Sequence, residues 1–262
     1  RLNFINKDSL LLSFNKKYDI VVGNPPYMKV KDKTILKKYK MQVVNTDTNN
    51  IFSFFIEKAL ELGDVVSLIV PKSLINAPEF GKTRSLMNEL PITHIVDFGE
   101  KGFKGVKIET IAFTINKKGQ KGITKVESYI TNTIEAKRQD YICDSTFPYW
   151  LIYRNQEFDD AASKMQFGIF KAFRDRTLTK GNTAQTGKYR VLKSRNIGDN
   201  EVVNIDGYDT YIDKIDDLEV GKYLDHTECV LVPNLTYNPR ACFMPKGCIA
   251  DGSVAILTTV NG

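Results

Sequence analysis

The sequence predicts an α/β fold, a mainly parallel sheet wrapped by helices, followed by a β-rich second unit. Three observations carry that expectation. Short β-branched runs alternate with helically spaced segments over residues 18–115, the pattern of strands and crossover helices. Two of the runs, 18–22 and 65–70, are largely apolar rather than alternating, as strands covered on both faces require. From about residue 165 the helical spacing stops, and short strands separated by turn residues take over.

Taken in order, residues 18–22 (Tyr-Asp-Ile-Val-Val) form a first buried strand stopped by Gly23. Over 50–62, Ile51, Phe54, Phe55, Ala59 and Leu62 follow a helical spacing, and Gly63 ends it. Residues 65–70 are a second buried strand closed by Pro71. Phe80, Leu86, Met87 and Leu90 give 79–90 one apolar side and predict a helix. Residues 92–98 and 108–115 are further strands, and 124–130 an edge strand. The stretch 138–158 is aromatic and mixed, and falls in a connector. Beyond it, 188–192, 229–232, 241–244 and 254–258 are strands. The expected organisation is 1–140, a connector over 141–164, and a second domain over 165–262.

Composition bounds the function classes. The chain has 262 residues, 42% hydrophobic and 26% charged, which is globular and excludes collagen-like or disordered classes. No apolar run approaches the ~20 residues of a membrane helix, so no membrane partner is expected. There are 37 Lys and Arg against 31 Asp and Glu, a net charge of +6, which permits an anionic partner without demanding one. The four cysteines, Cys143, Cys229, Cys242 and Cys248, are too few for a disulfide framework in a chain this size. They point to a reducing, cytoplasmic setting. Two histidines, His94 and His226, leave little for a histidine-based nucleophile. His226 with Cys229, Cys242 and Cys248 has spacings zinc could use, but no Cys-x-x-Cys knuckle, and buried structural thiols fit better. The chain opens on Arg1 and Leu2 without Met or a signal peptide, and is read as a piece of something longer.

The chemistry lies in Asn24-Pro25-Pro26-Tyr27, directly after the first strand. In an open α/β sheet, ligands bind beyond the carboxyl ends of strands. A proline-rich turn that merely closes the strand is the plain alternative. The chemical reading accounts for each residue. An amino group on an aromatic base is a poor nucleophile, because its lone pair is delocalised into the ring. Two acceptors that take both N–H hydrogens localise that pair. The Asn24 side-chain oxygen is one acceptor and the Pro25 carbonyl the other. Pro25 and Pro26 bias the residues before them to extended backbone, so the acceptors are aimed. Tyr27 offers a face on which a base can stack.

With its flanks, Asp19-Ile20-Val21-Val22-Gly23-Asn24-Pro25-Pro26-Tyr27 resembles the catalytic motif of DNA adenine methyltransferases. The arrangement is most similar to the TaqI-like branch found in type II restriction–modification systems. The resemblance implies a Rossmann-like methyltransferase sheet with helices on its faces, here incomplete, followed by a truncated β-rich target-recognition domain. It implies S-adenosylmethionine as cofactor, double-stranded DNA as substrate, and a cognate or fused restriction endonuclease as partner. Asn6-Lys7-Asp8-Ser9-Leu10-Leu11 stands where the family binds the cofactor's adenine, which maps that role onto Asp8 and Ser9. Ile95-Val96-Asp97-Phe98-Gly99-Glu100 with Phe103-Lys104-Gly105-Val106 resembles the segment that supplies a second aromatic for a flipped base, which maps that role onto Phe103. Residues 189–197 resemble the start of the recognition domain. There, Lys193, Arg195, Tyr237, Asn238 and Arg240 are candidate DNA contacts, since Arg and Asn read base edges; ordinary loop chemistry is the alternative.

The family's glycine-rich cofactor loop precedes the position of Asp8 and has no counterpart here, so 1–262 alone is expected to be inactive. Asp97-Phe98-Gly99-Glu100-Lys101-Gly102 is glycine-rich, but lacks Gly-x-Gly and leads into a strand rather than a helix. Lys29, Lys31, Lys33, Lys37, Lys38 and Lys40 crowd the segment after the motif. They read as a solvated flexible loop, as a phosphate-contacting flap, or as both. Enzymes that methylate RNA bases or a protein glutamine share the tetrapeptide, and a non-catalytic DNA-binding specificity module is a further alternative.

Overall fold

The computed structural model describes residues 4–105 and 107–260. Arg1, Leu2 and Gly262, and Val106 of the motif quoted above, lie outside the described residues. The chain divides into two compact units, Arg1–Asp159 and Asp160–Gly262.

The first unit is built on one six-stranded sheet. Its strands are β1 (Tyr18–Gly23), β2 (Gly63–Pro71), β3 (Ile92–Gly99), β4 (Thr110–Asn116), β5 (Ile123–Ser128) and β6 (Thr133–Arg138), in the spatial order β1-β2-β4-β3-β5-β6. β1 pairs with β2, and β3 with β5, in parallel; β4 is antiparallel to both its neighbours, and β6 to β5. The expected parallel run therefore holds for β1, β2, β3 and β5, and β4 breaks it. The reason is the connection: only ten residues join β3 to β4, with no helix among the described ones, and a parallel return needs a longer crossover. The segment 124–130 is not an edge. β5 is interior, because a hairpin places β6 outside it. The true edge at the other side is β1, where Ile20 and Val22 are 63% and 71% exposed.

Helices cover the sheet as the apolar spacing requires. In α2 (Ile51–Leu62), Phe52, Ile56, Ala59 and Leu60 join the sheet core of Val66, Leu68, Ile95 and Phe113. Phe54 points elsewhere and packs with Leu10 and Tyr39. A helix buried on two sides is apolar nearly all round. The helix expected over 79–90 is shorter, α3 (Gly81–Asn88), preceded by a single turn at Pro78–Phe80.

The lysine-rich segment is not a loop. Residues Lys33–Lys40 form helix α1, capped by the Asp32 side chain, which accepts from the Thr34 and Ile35 amides at 2.8 and 3.0 Å. Backbone bonds from Val30 to Asn49 (2.9 Å) and from Ile51 to Met28 (3.0 Å) close its base. The Glu57 carboxylate accepts the Val44 and Asn45 amides at 2.6 and 3.0 Å, which pins the return path.

The segment placed in the connector contributes to this first core over its front part. Ile142, Trp150 and Ile152 are buried there. The Trp150 indole donates to Asn88 at 2.7 Å, and buried Arg84 donates to the Pro148 carbonyl at 2.7 Å. Its mixed sequence reflects that polar capping, which spacing cannot show.

The second unit carries β7 (Phe170–Phe173), β8 (Tyr189–Leu192), β9 (Thr210–Ile212), β10 (Val230–Pro233), β11 (Cys242–Phe243), β12 (Cys248–Ala250) and β13 (Val254–Thr259). They form one sheet in the order β11-β10-β13-β7 and another in the order β12-β8-β9. Val191, Leu192, Leu231, Ile249 and Ile256 fill the core. β7, β9 and β12, of three or four residues each, were not among the strands expected from the sequence. Cys229, Cys242 and Cys248 are buried in this core, and burial pushes their thiols up. Among the described residues, no helix is long and apolar enough to cross a membrane.

Candidate functional site

The site lies at the carboxyl ends of β1, β2 and β3, where the chain leaves the sheet and turns. β1 delivers Asn24 to the surface, while Pro25 is buried beneath it. Among the described residues, nothing hydrogen-bonds the Asn24 carboxamide or the Pro25 carbonyl. Two acceptors one residue apart are thus left open at the edge of the sheet.

Tyr27 is held from both ends. Its hydroxyl donates to the Ile69 carbonyl of β2 at 2.9 Å, and its ring meets Phe52 edge-on at 6.3 Å. Burial pushes its phenol up to about 12, so it stays a neutral donor. Phe103, some seventy-six residues away in sequence, comes to Tyr27 with ring centroids 6.3 Å apart and planes at 63°. The pair expected to flank a base is therefore assembled. The rings meet edge to face, however, and form a closed corner rather than an open parallel slot. A planar group between two stacked rings needs roughly 7 Å between their planes, which the corner as it stands does not offer; the Tyr27 ring is tethered to Ile69.

On the other side of Asn24 and Pro25 lies a groove of about 280 Å³. Ser9 lines it, with Phe14, Val21, Phe55 and Leu62 as apolar walls and Lys58 as a charged rim. Asp8 does not line it. Its carboxylate is exposed, and accepts from the Leu10 amide at 3.0 Å and the Tyr39 hydroxyl at 2.8 Å. Of the two residues expected at the cofactor, the structure thus brings Ser9 to the groove and leaves Asp8 beside it, tied to α1. Phe14 and Tyr39 were missed in the sequence; each is a lone aromatic with no motif around it.

In the second unit, Lys193, Arg195 and Arg240 converge, and the remaining two candidates do not join them. The Lys193 ammonium donates to the Tyr208 carbonyl and sits 4.0 Å from its ring centre, and the Arg195 guanidinium stacks on the same ring at 4.8 Å. Arg240 donates to the Ser194 carbonyl at 3.3 Å, with its Nε buried and unpartnered. Tyr237 and Asn238 sit exposed in the loop between β10 and β11. Tyr208, which organises the basic pair, carried no signal in the sequence.

Comparison with known proteins fits this arrangement. Residues 2–103 match the family described as Eco57I restriction-modification methylase. The type II methyltransferase M.BsuBI of Bacillus subtilis is 28% identical over 108 residues, 39% of this chain and 21% of the relative. The type II methyltransferase M.PstI of Providencia stuartii is 28% identical over 116 residues, 41% of this chain and 23% of the relative. The matches thus span about a fifth of the length of these relatives. The solved structure of the type IIL restriction-modification enzyme MmeI in complex with DNA covers 91% of this chain, and the match spans 40% of that protein, with a TM-score of 0.57 and 9% identity, a likeness of fold. The stretch similar to the Eco57I restriction-modification methylase family, residues 2–103, is the one that carries Asn24, Pro25, Tyr27 and Phe103.

Proposed function

We propose that this chain is part of an adenine-specific DNA methyltransferase of a restriction-modification system, acting on the exocyclic amino group of an adenine turned out of the duplex. The observation that carries it is the pair of open acceptors, the Asn24 carboxamide oxygen and the Pro25 carbonyl, beside the aromatic corner of Tyr27 and Phe103. Bound S-adenosylmethionine would supply an electrophilic methyl group. The groove fits the nucleoside part of such a molecule: it is apolar-walled, of about 280 Å³, and ends at Ser9 and Asn24. Among the described residues it offers no cradle for an amino-acid tail, so residues 1–262 alone would bind the cofactor weakly and turn over poorly.

The chain's own residues would act as follows. Asn24 and Pro25 would accept hydrogen bonds from the two amino N–H groups and draw the nitrogen toward tetrahedral geometry, so that its lone pair is localised for the incoming methyl group; once the new N–C bond forms, the nitrogen would release one proton to solvent. Tyr27 stacks on the extruded base, and Phe103 swings to close the other side. A base that leaves the duplex loses a few kcal/mol of stacking and pairing. Two aromatic contacts at about 1–3 kcal/mol each offset much of that. Lys37 and Lys38 on α1 contact phosphates, as do Lys193 and Arg195 in the second unit. The likeness to MmeI, solved in complex with DNA, supports a DNA partner, and the type II relatives support a restriction endonuclease as the functional counterpart.

The test separates flipping from chemistry. In the full-length protein, a duplex with 2-aminopurine at the target adenine should brighten on binding. Asn24→Ala should keep that signal and lose methylation, whereas Tyr27→Ala should lose the signal. Loss of the signal in Asn24→Ala would overturn the assignment of separate roles.

A further inference from the structure

At the ends of β2, β3 and β5 lies a charged cluster that the proposed chemistry does not use. Asp97, at the end of β3, is 0% exposed. One of its carboxylate oxygens accepts the Gly99 amide at 2.9 Å. The other takes the Lys72 ammonium at 2.7 Å and the Tyr153 hydroxyl at 2.5 Å. Tyr153 also lies 2.8 Å from the Ser128 hydroxyl, at the end of β5. Lys72 follows β2 directly; its amide donates to the Glu109 carbonyl at 2.9 Å, and its ammonium lies 3.7 Å from the Glu109 carboxylate.

These contacts share one geometric feature. Gly99 is where the chain leaves β3 toward Phe103, and Glu109 is where it re-enters the sheet at β4. The cluster grips both ends of the same turn. Packing alone would be satisfied by an apolar side chain at position 97, since buried ion pairs often exchange for hydrophobic groups without loss. A fully bonded carboxylate instead fixes directions, and each of its donors comes from a different element. Burial, with the Asp97 carboxylate alongside, pushes the Tyr153 phenol up to about 12 and keeps it a donor.

Between the gripped ends, two glycines shape the turn. A Cβ at Gly102 would lie 2.1 Å from the Thr110 hydroxyl, so only glycine allows the chain to run against β4 there. Gly105 has φ +79° with open space around it. Phe103 sits between these two glycines.

We propose that Asp97, Lys72 and Tyr153 are positioning residues that clamp both ends of the turn bearing Phe103, so that opening of the aromatic corner is confined to a pivot of Phe103 itself. The catalytic consequence rests on the reading of the Tyr27–Phe103 corner given above; the clamp itself does not.

Hydrogen exchange on the full-length protein tests the clamp without any reaction. In Tyr153→Phe and Lys72→Met, the amides of Gly99 and Lys101, which donate to Asp97 and Phe98 at the start of the turn, should exchange at least about tenfold faster, while those of residues 94–96 in β3 and 111–115 in β4 keep their protection. Asp97→Asn should do the same more strongly. Unchanged exchange at Gly99 and Lys101 in Tyr153→Phe and Lys72→Met would overturn the proposal. So would equal acceleration of turn and sheet, because the three residues would then be ordinary supports of the core. In the same variants, the methylation rate should fall by about 10- to 100-fold with cofactor affinity unchanged. If the turn loosens but the unmutated protein gives no 2-aminopurine signal, the clamp stands and the base-flipping reading fails.

Discussion

Asn24 and Tyr27 are three residues apart and are expected to fail in different ways. Asn24 is exposed and open, so its replacement by Ala should leave the fold intact. Removing one preorganised polar group from a reacting centre costs about 10²–10³ in rate, and Asn24→Ala should show that loss in single-turnover methylation with DNA affinity unchanged. Phe103→Ala removes one stacking wall, worth about 1–3 kcal/mol. It should dim the 2-aminopurine signal and slow methylation without unfolding the protein. A Phe103→Ala variant that flips and methylates normally would make Phe103 a loop anchor packed on Tyr27. Tyr27→Phe is the milder probe: it frees the ring from the Ile69 carbonyl, and should cost about 1 kcal/mol of stability. Asn24 and Tyr27 were singled out in the sequence because the motif places residue types at fixed offsets, and Phe103 through the resemblance of residues 95–106 alone; the structure brings Tyr27 and Phe103 together. The edge-to-face closure of Tyr27 and Phe103 was not legible there, since ring orientation depends on the tether to Ile69.

Helix α1 decides whether the lysines after the motif act as a surface or as a tether. A capped helix presents Lys33, Lys37 and Lys38 as an exposed face, while Tyr39 turns inward to Asp8. Each phosphate contact contributes about one to the slope of log affinity against log salt. Replacing Lys37, Lys38 and Lys40 together with Gln should lower that slope by about two to three in the full-length protein. An unchanged slope would make α1 a solvated face only. Asp32→Ala removes the cap and should cost about 1 kcal/mol, read as a lower denaturation midpoint. The sequence suggested a flexible loop here because six lysines in a short stretch mask a two-residue apolar face, Leu36 and Tyr39. The same difficulty hid β6, whose residues are almost all exposed and carry no apolar pattern. Strands β1 to β3 were legible because both their faces are buried or nearly so, apart from β1 at its open edge.

At the scale of the whole chain, two separate cores imply two separable stabilities. Phe113, Ile95 and Val66 belong to one, and Leu231, Ile249 and Ile256 to the other. Phe113→Ala should cost about 3–5 kcal/mol, and its effect on calorimetry should fall on one transition and spare the other. A single transition that shifts as a whole would show that the units unfold together. The order of elements was readable along the chain, yet their pairing was not: β4 entered between β2 and β3 because its connection is too short to cross over. The central claim concerns the chemistry at Asn24, and it can be tested without knowing the recognition sequence. The full-length protein, given unmethylated DNA and S-adenosylmethionine with a labelled methyl group, should place the label on the exocyclic nitrogen of adenine, as read by nucleoside chromatography. Asn24→Ala should slow that labelling by about 10²–10³-fold. Label on cytosine, on RNA or on protein instead, or label on adenine at an undiminished rate in Asn24→Ala, would contradict the proposed function.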